Sequence, residues 1–157
     1  MSIIGKLFNE LKVYLFVWMH AKQIAAGKRL SVRRDFFIKI DKDARLTIGD
    51  HCFFNNNCSI NVMNRITIGN DCLFGENVKL YDHDHSHRMG HLFRNEAMIT
   101  KEVIVGNNCW IGSNCVILKG VHIGDNVVVG AGTIVTHDIP DNTVVYQKRE
   151  NVLKKLP

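Results

Sequence analysis

Four of the chain's eight histidines fall in one stretch, Asp82-His-Asp-His-Ser-His-Arg-Met-Gly-His91. Histidine is the side chain best suited to taking a proton near neutral pH, so this stretch is a candidate source of a general base. His83, His85 and His87 alternate and would share one face of an extended segment, a spacing that also suits metal ligation. A solvated loop is the third reading. Asp82 or Asp84 could orient an imidazole, as could a backbone carbonyl. Which reading holds depends on what carries the stretch.

What carries it is a six-residue repeat. Val105, Ile111, Ile117, Ile123, Val129 and Val135 are all aliphatic at a strict spacing of six. Ile48, Phe54 and Ile60 hold the same step upstream, as do Ile68, Phe74 and Leu80. A helix would repeat its apolar residues near 3.6 and a half-buried strand near 2, and six fits neither. Three residues after each aliphatic come Asn57, Asp71, Asn77, Asn108, Asn114, Gly120, Asn126, Gly132 and Asp138, with His51 out of type. Residues of this kind tolerate positive φ, so the position reads as a corner. Short strands joined by corners, three sides to a turn, wind into a stacked parallel coil.

Four residues after each aliphatic lies a second inward position, crowded and therefore small. Cys52, Cys58, Cys72, Cys109 and Cys115 all occupy it, which makes them buried core thiols. Their number is odd and no CxxC pair exists, against a disulfide framework or zinc ribbon and in favour of a reducing, cytoplasmic setting. The period breaks twice. Ile60 to Ile68 is a step of eight, a two-residue bulge around Asn61 to Asn64. Leu80 to Val105 is a step of 25, so the histidine stretch reads as a loop over 82–101 thrown out of the coil. Loops on rigid scaffolds are where function concentrates.

The chain's 157 residues are enough for one domain, and 46% hydrophobic with 22% charged is an ordered, soluble composition. Sixteen Ile and sixteen Val exclude a helical bundle. Residues 1–45 hold ten Lys/Arg against four Asp/Glu, whereas 46–157 hold ten against eleven, so a uniformly basic nucleic-acid surface is excluded. The basic segment carries the longest apolar run, Val13 to Met19, which is too short to span a bilayer and weak as a signal peptide. It reads as a helix from Ile3 to about Ala26, packed on the protein body or leaning on a membrane interface. The resulting division is a helical segment over 1–30, the coil over 31–146 and a basic tail over 147–157.

From about Ala44 to Val145 this pattern resembles the hexapeptide-repeat acyltransferases. The fold implied is all-β, a left-handed parallel β-helix. The function implied is acetyl-CoA-dependent O-acetyl transfer to a sugar hydroxyl by direct transfer onto an acceptor activated by a histidine base, with no metal. In the galactoside and maltose type the catalytic histidine lies sixteen residues after the glycine of an Ile-Gly repeat. Counting from Gly69 lands on His85, with His83 the alternative. Asn55 matches the acceptor-contacting asparagine. Trp110, in Asn-Cys-Trp-Ile-Gly-Ser, matches the tryptophan beside the acetyl-CoA groove. Ser113, Ala131 and Thr136 match further groove contacts, and Lys154 keeps the second of the family's two basic positions at the coenzyme. The family's assembly implies a homotrimer with active sites between subunits.

The chain also departs from that type. The family's acidic residue after the bulge falls on Met63, and its basic contact to the coenzyme's 3′-phosphate falls on Asn151, for which Lys148, Arg149 and Lys155 could compensate. The chain shows no N-terminal domain like those of small-sugar acetyltransferases, which points toward a precursor of a bacterial surface polysaccharide as acceptor. Two other functions share the fold. A γ-type carbonic anhydrase needs a histidine pair five residues apart, but 117 and 127 around His122 are Ile and Val. A non-enzymatic β-helix scaffold would not need the histidine loop or Trp110.

Overall fold

The computed structural model describes residues 3–87, 90, 92–148 and 153–154. Helix α1 (Ile3–Met19) comes first, and the chain then winds as a triangular coil. The first turn is β1 (Ile24–Ala26), β2 (Ser31–Val32) and β3 (Phe37–Ile40). The second is β4 (Arg45–Ile48), β5 (Phe53–Phe54) and β6 (Ser59–Val62), and the third β7 (Arg65–Ile68), β8 (Leu73–Phe74) and β9 (Lys79–Tyr81). An excursion, β10 (His83–His85) and β11 (Met98–Thr100), interrupts the winding. It resumes with β12 (Val103–Val105), β13 (Trp110–Ile111) and β14 (Val116–Ile117), then β15 (His122–Ile123), β16 (Val128–Val129) and β17 (Ile134–Val135), and closes with β18 (Val144–Val145).

Every third strand stacks in parallel, so the coil has three faces. The first is β1-β4-β7-β12-β15, the second β2-β5-β8-β13-β16-β18 and the third β3-β6-β9-β14-β17. This is the parallel β-helix of about six turns that the period of six implies. Each predicted inward aliphatic is buried, Val105 through Val135 among them, and all five cysteines are free and buried. Their sulfurs sit over backbone carbonyls of the next turn, such as Cys58 Sγ to Gly75 O at 3.0 Å. Phe54 and Phe74 stack inside the prism at 4.3 Å between ring centroids.

The corners hold positive φ at Asn57, Asp71, Asn77, Asn108, Asn114, Gly120, Asn126 and Gly132, as expected. Asp138 does not. His51 does (φ 58), its ring bonded to Asp71 Oδ1 at 3.1 Å, so it is a corner residue despite its type. Two further differences concern the N-terminal part. The helix ends at Met19 rather than near Ala26, and Ile24–Ala26 is already a strand, paired with Leu46–Ile48. The coil therefore begins before residue 31. The loop over 82–101 is not featureless either, because β10 and β11 pair antiparallel, His83 opposite Thr100 and His85 opposite Met98.

Candidate active site

The hairpin leaves the coil where the third face turns into the first, and its root is fixed by a buried carboxylate. Asp82 follows Leu80 by two, as Val62 follows Ile60 by two on the paired strand, so an acid occupies a core position. It is fully buried. Asp82 Oδ1 accepts from the Met63 N–H at 2.9 Å, and Oδ2 accepts from the Asn64 N–H at 2.7 Å. Those two donors belong to the bulge after β6, so one carboxylate ties the bulge to the hairpin. Lys101 N–H to Asp82 O (2.8 Å) closes the hairpin from its other strand.

His83 is bound to the same acid, Nδ1 to Asp82 Oδ1 at 2.9 Å. A carboxylate only accepts, so Nδ1 carries the hydrogen and the ring's orientation is set. The Tyr81 ring meets it edge-on. His83 and Asp84 line a cleft of about 210 Å³ with Leu118, Lys119 and Thr136, and Lys119 Nζ lies 2.6 Å from Asp84 Oδ2. Sequence reasoning did not reach Leu118 or Lys119. They follow Ile117 at the corner one turn above the hairpin, and only the stacking of turns reveals them. His85 lies two residues further out, exposed, and no hydrogen bond holds its ring among the described residues.

The other candidates sort to the opposite edge of the third face. Asn55, Ser113 and Ala131 lie where the second face turns into the third, on stacked turns linked by Asn77 N–H to Asn56 O, Asn114 N–H to Glu76 O and Gly132 N–H to Ser113 O. Glycine makes that stacking close: a Cβ on Gly112 would sit 2.6 Å from Ala131 N. Trp110 is exposed on the second face, in register with Leu73, Val128 and Val144, an apolar stripe running along the prism. Thr136 falls with His83 instead. Lys154 is exposed in the C-terminal tail, and Arg149, Asn151, Lys155 and His91 lie outside the described residues. Thus one chain brings together Asn55, Trp110, Ser113 and Ala131 at one edge, and His83, His85 and Thr136 at the other. Six residues of extended chain separate the edges, roughly 20 Å.

Among the described residues no three His, Cys, Asp or Glu side chains come together to hold a metal ion. A flat exposed indole beside the small residues Ser113 and Ala131 suits a thin, partly apolar chain laid along the corner.

The comparisons with known proteins agree with this architecture. A family model described as the hexapeptide repeat of succinyl-transferase matches residues 102–137. A hexapeptide-repeat-containing acetyltransferase from Vibrio cholerae O1 biovar eltor, solved with acetyl coenzyme A, superposes with a TM-score of 0.71 at 30% identity, covering 94% of this chain and 78% of that one. The chain belongs to the hexapeptide-repeat acetyltransferase family. Within it, the chain is 37% identical over 150 residues to the galactoside O-acetyltransferase of Lactococcus lactis subsp. lactis strain IL1403, covering 93% of this chain and 62% of that protein. It is 35% identical over 123 residues to the galactoside O-acetyltransferase of Escherichia coli K12, covering 75% and 50%. The chain therefore spans between half and two thirds of the length of these curated relatives.

Proposed function

We propose that this protein is an acetyl-CoA-dependent O-acetyltransferase acting on a sugar hydroxyl, with His85 as general base. The observation that carries the reading is the exposed His85 on a hairpin whose root is fixed by buried Asp82. An alcohol is a poor nucleophile at neutral pH and needs its proton taken as it attacks. An imidazole that no described residue engages, held two residues from an anchored one, suits that task. His85 accepts the acceptor's proton while the acceptor oxygen bonds to the thioester carbonyl carbon. Collapse of the tetrahedral oxyanion breaks the C–S bond, and His85 returns the proton to the leaving thiolate. His83, tied to Asp82, acts as a positioning residue.

The coenzyme groove in this reading runs along Trp110, Ser113 and Ala131, and Asn55 contacts the acceptor. Those residues and His85 lie at opposite edges of the third face, so the site is completed by a neighbour in a cyclic trimer. The apolar stripe supports this. Leu73, Trp110 and Val144 are 50%, 57% and 66% exposed on the second face, and Ile134 is 46% exposed on the third, surface that association would cover. Met63 stands where the galactoside type has an acid, so the acceptor differs from a galactoside in the group recognised there.

The test is thiol release from acetyl-CoA across a panel of sugar acceptors, with product analysis by mass. An acceptor-dependent rate that collapses in His85→Ala supports the proposal. No acetyl transfer to any sugar, with acetyl-CoA bound, would sink the acceptor class.

A further inference from the structure

Helix α1 has two apolar sides, and the fold uses one of them. Val13, Phe16 and Val17 pack against the core. Tyr14 Oη donates to Leu30 O at 3.1 Å, and Ser31 Oγ to Glu10 Oε1 at 2.7 Å, so the helix lies across the first turn of the coil. On its other side Leu7, Leu11 and Leu15 recur every four residues, followed by Trp18 and Met19. All five are more than half exposed, Trp18 at 75%. At 100° per residue these side chains and Tyr14 fall on one arc of about 140°, and no charged residue of the sequence falls inside it. Exposed Lys12 borders the arc on one side, and Glu10, turned to Ser31, on the other.

An unpartnered apolar arc this wide calls for a cover, and the surrounding charge selects it. Lys12, Lys22, Lys28, Arg29, Arg33, Arg34, Lys39, Lys42 and Arg45 are all exposed on the helix and the first turns of the coil. A second copy seated face to face would bring two such cationic ends together, at an electrostatic penalty. An anionic bilayer surface accepts the apolar arc and attracts the cations. Trp18, an aromatic body with a polar tip, suits the headgroup level. No helix among the described residues is long and apolar enough to cross a membrane, and seventeen residues reach only about 26 Å, so α1 would lie in the plane of the surface.

We propose that the outer face of α1 docks this protein on anionic lipid bilayers, through Leu7, Leu11, Leu15, Trp18 and Met19 with the basic first turns around them. The experiment is co-sedimentation of the full chain with phosphatidylcholine vesicles, with and without phosphatidylglycerol. The wild type should pellet with the anionic vesicles and be released by salt. A Leu11→Glu/Trp18→Glu variant should lose at least about tenfold in partitioning while its thermal midpoint and native mass stay unchanged. A folding-independent reading comes from Trp18 fluorescence in a Trp110→Phe background, which should shift to the blue on adding anionic vesicles. Wild type left in the supernatant, equal binding to neutral vesicles, or a fall in native mass in the double variant would each overturn the proposal. The last would assign the face to contact between copies.

Discussion

The two edges of the third face are built from the same repeat and do opposite things with it. Where the second face meets the third, Asn55, Ser113 and Ala131 sit on corners that repeat turn after turn, linked from turn to turn by the Asn77, Asn114 and Gly132 N–H groups. Where the third meets the first, the repeat is broken by a bulge at Met63 and Asn64 and by the histidine hairpin, and a buried carboxylate replaces the missing regularity. The regular edge offers a surface of small side chains; the irregular edge offers titratable groups. In the proposed mechanism neither edge carries both halves of an acyl transfer. The base proposed at His85 and the groove proposed along Trp110, Ser113 and Ala131 stand on different edges of one narrow prism, and the proposed association of copies is what would join them.

The largest effect should come from breaking the irregular edge at its tip. His85→Ala should lower kcat by at least about a hundredfold, roughly 2.7 kcal/mol, with acetyl-CoA affinity and melting temperature near wild type. His83→Ala should lose about tenfold, because it loosens the hairpin without removing the base. Steady-state kinetics on both variants decide this, and the reverse ranking would move the base to the residue that Asp82 holds.

Joining the edges across copies gives the next effect. His85→Ala and a groove-filling Ala131→Trp should each be inactive alone. Mixed in equal amounts, partly denatured and reassembled, they should recover about a quarter of wild-type activity, since one site in four pairs an intact histidine with an intact groove. No recovery, with mixed oligomers confirmed by native mass spectrometry, would place both halves in one chain.

The two edges also differ in how legible they were. The regular one was readable from spacing alone: the aliphatic steps, the small residue four further on and the Asn or Gly corner each mark one physical requirement of a crowded triangular prism. His51 and Arg29 hold the same corner conformation with positive φ but carry unfavoured side chains, so type-based reading misses them. The first turn was hidden for another reason. Between Ile38 and Ile48 the third-to-first corner is longer than the repeat allows, so the first turn falls out of step with the period and β1 reads as the end of the helix. At the irregular edge the sequence named the histidines but not their difference, which depends on the burial of Asp82. The one available signal was an acid two residues after inward Leu80, where the paired strand has Val62.

Asp82 gives a test of stability rather than rate. Asp82→Ala leaves the Met63 and Asn64 N–H groups and His83 without their acceptor, which should destabilise the protein by about 2–4 kcal/mol in denaturant titration. At the regular edge Ser113→Ala removes only the acceptor for the Glu76 N–H on a partly exposed corner, and should change stability by less than about 1 kcal/mol. Equal losses would mean that Asp82 is not the anchor.

The smallest effect concerns the thiols beneath both edges. Cys52, Cys58, Cys72, Cys109 and Cys115 are at most 1% exposed. Burial pushes the Cys58 thiol above its ordinary value, and hydrogen bonds with Cys109 and Cys52, together with burial, push Cys72 up, whereas their hydrogen bonds with Cys72 lower Cys52 and bring Cys109 down to about 7. What the five share is inaccessibility, and a thiol closed inside the prism does not reach a labelling reagent whatever its protonation. In the folded protein, therefore, a chromogenic disulfide reagent should label none of the five at neutral pH over the time in which unfolded chain reacts fully. Substituting His83 or His85 should leave this unchanged, because the strand that carries them, β10, pairs only with β11 and belongs to none of the three faces of the prism. If His83→Ala or His85→Ala exposed Cys58 or Cys115 to rapid labelling, the hairpin would be part of what keeps the coil closed, and the separation of a rigid edge from a chemical one would fail.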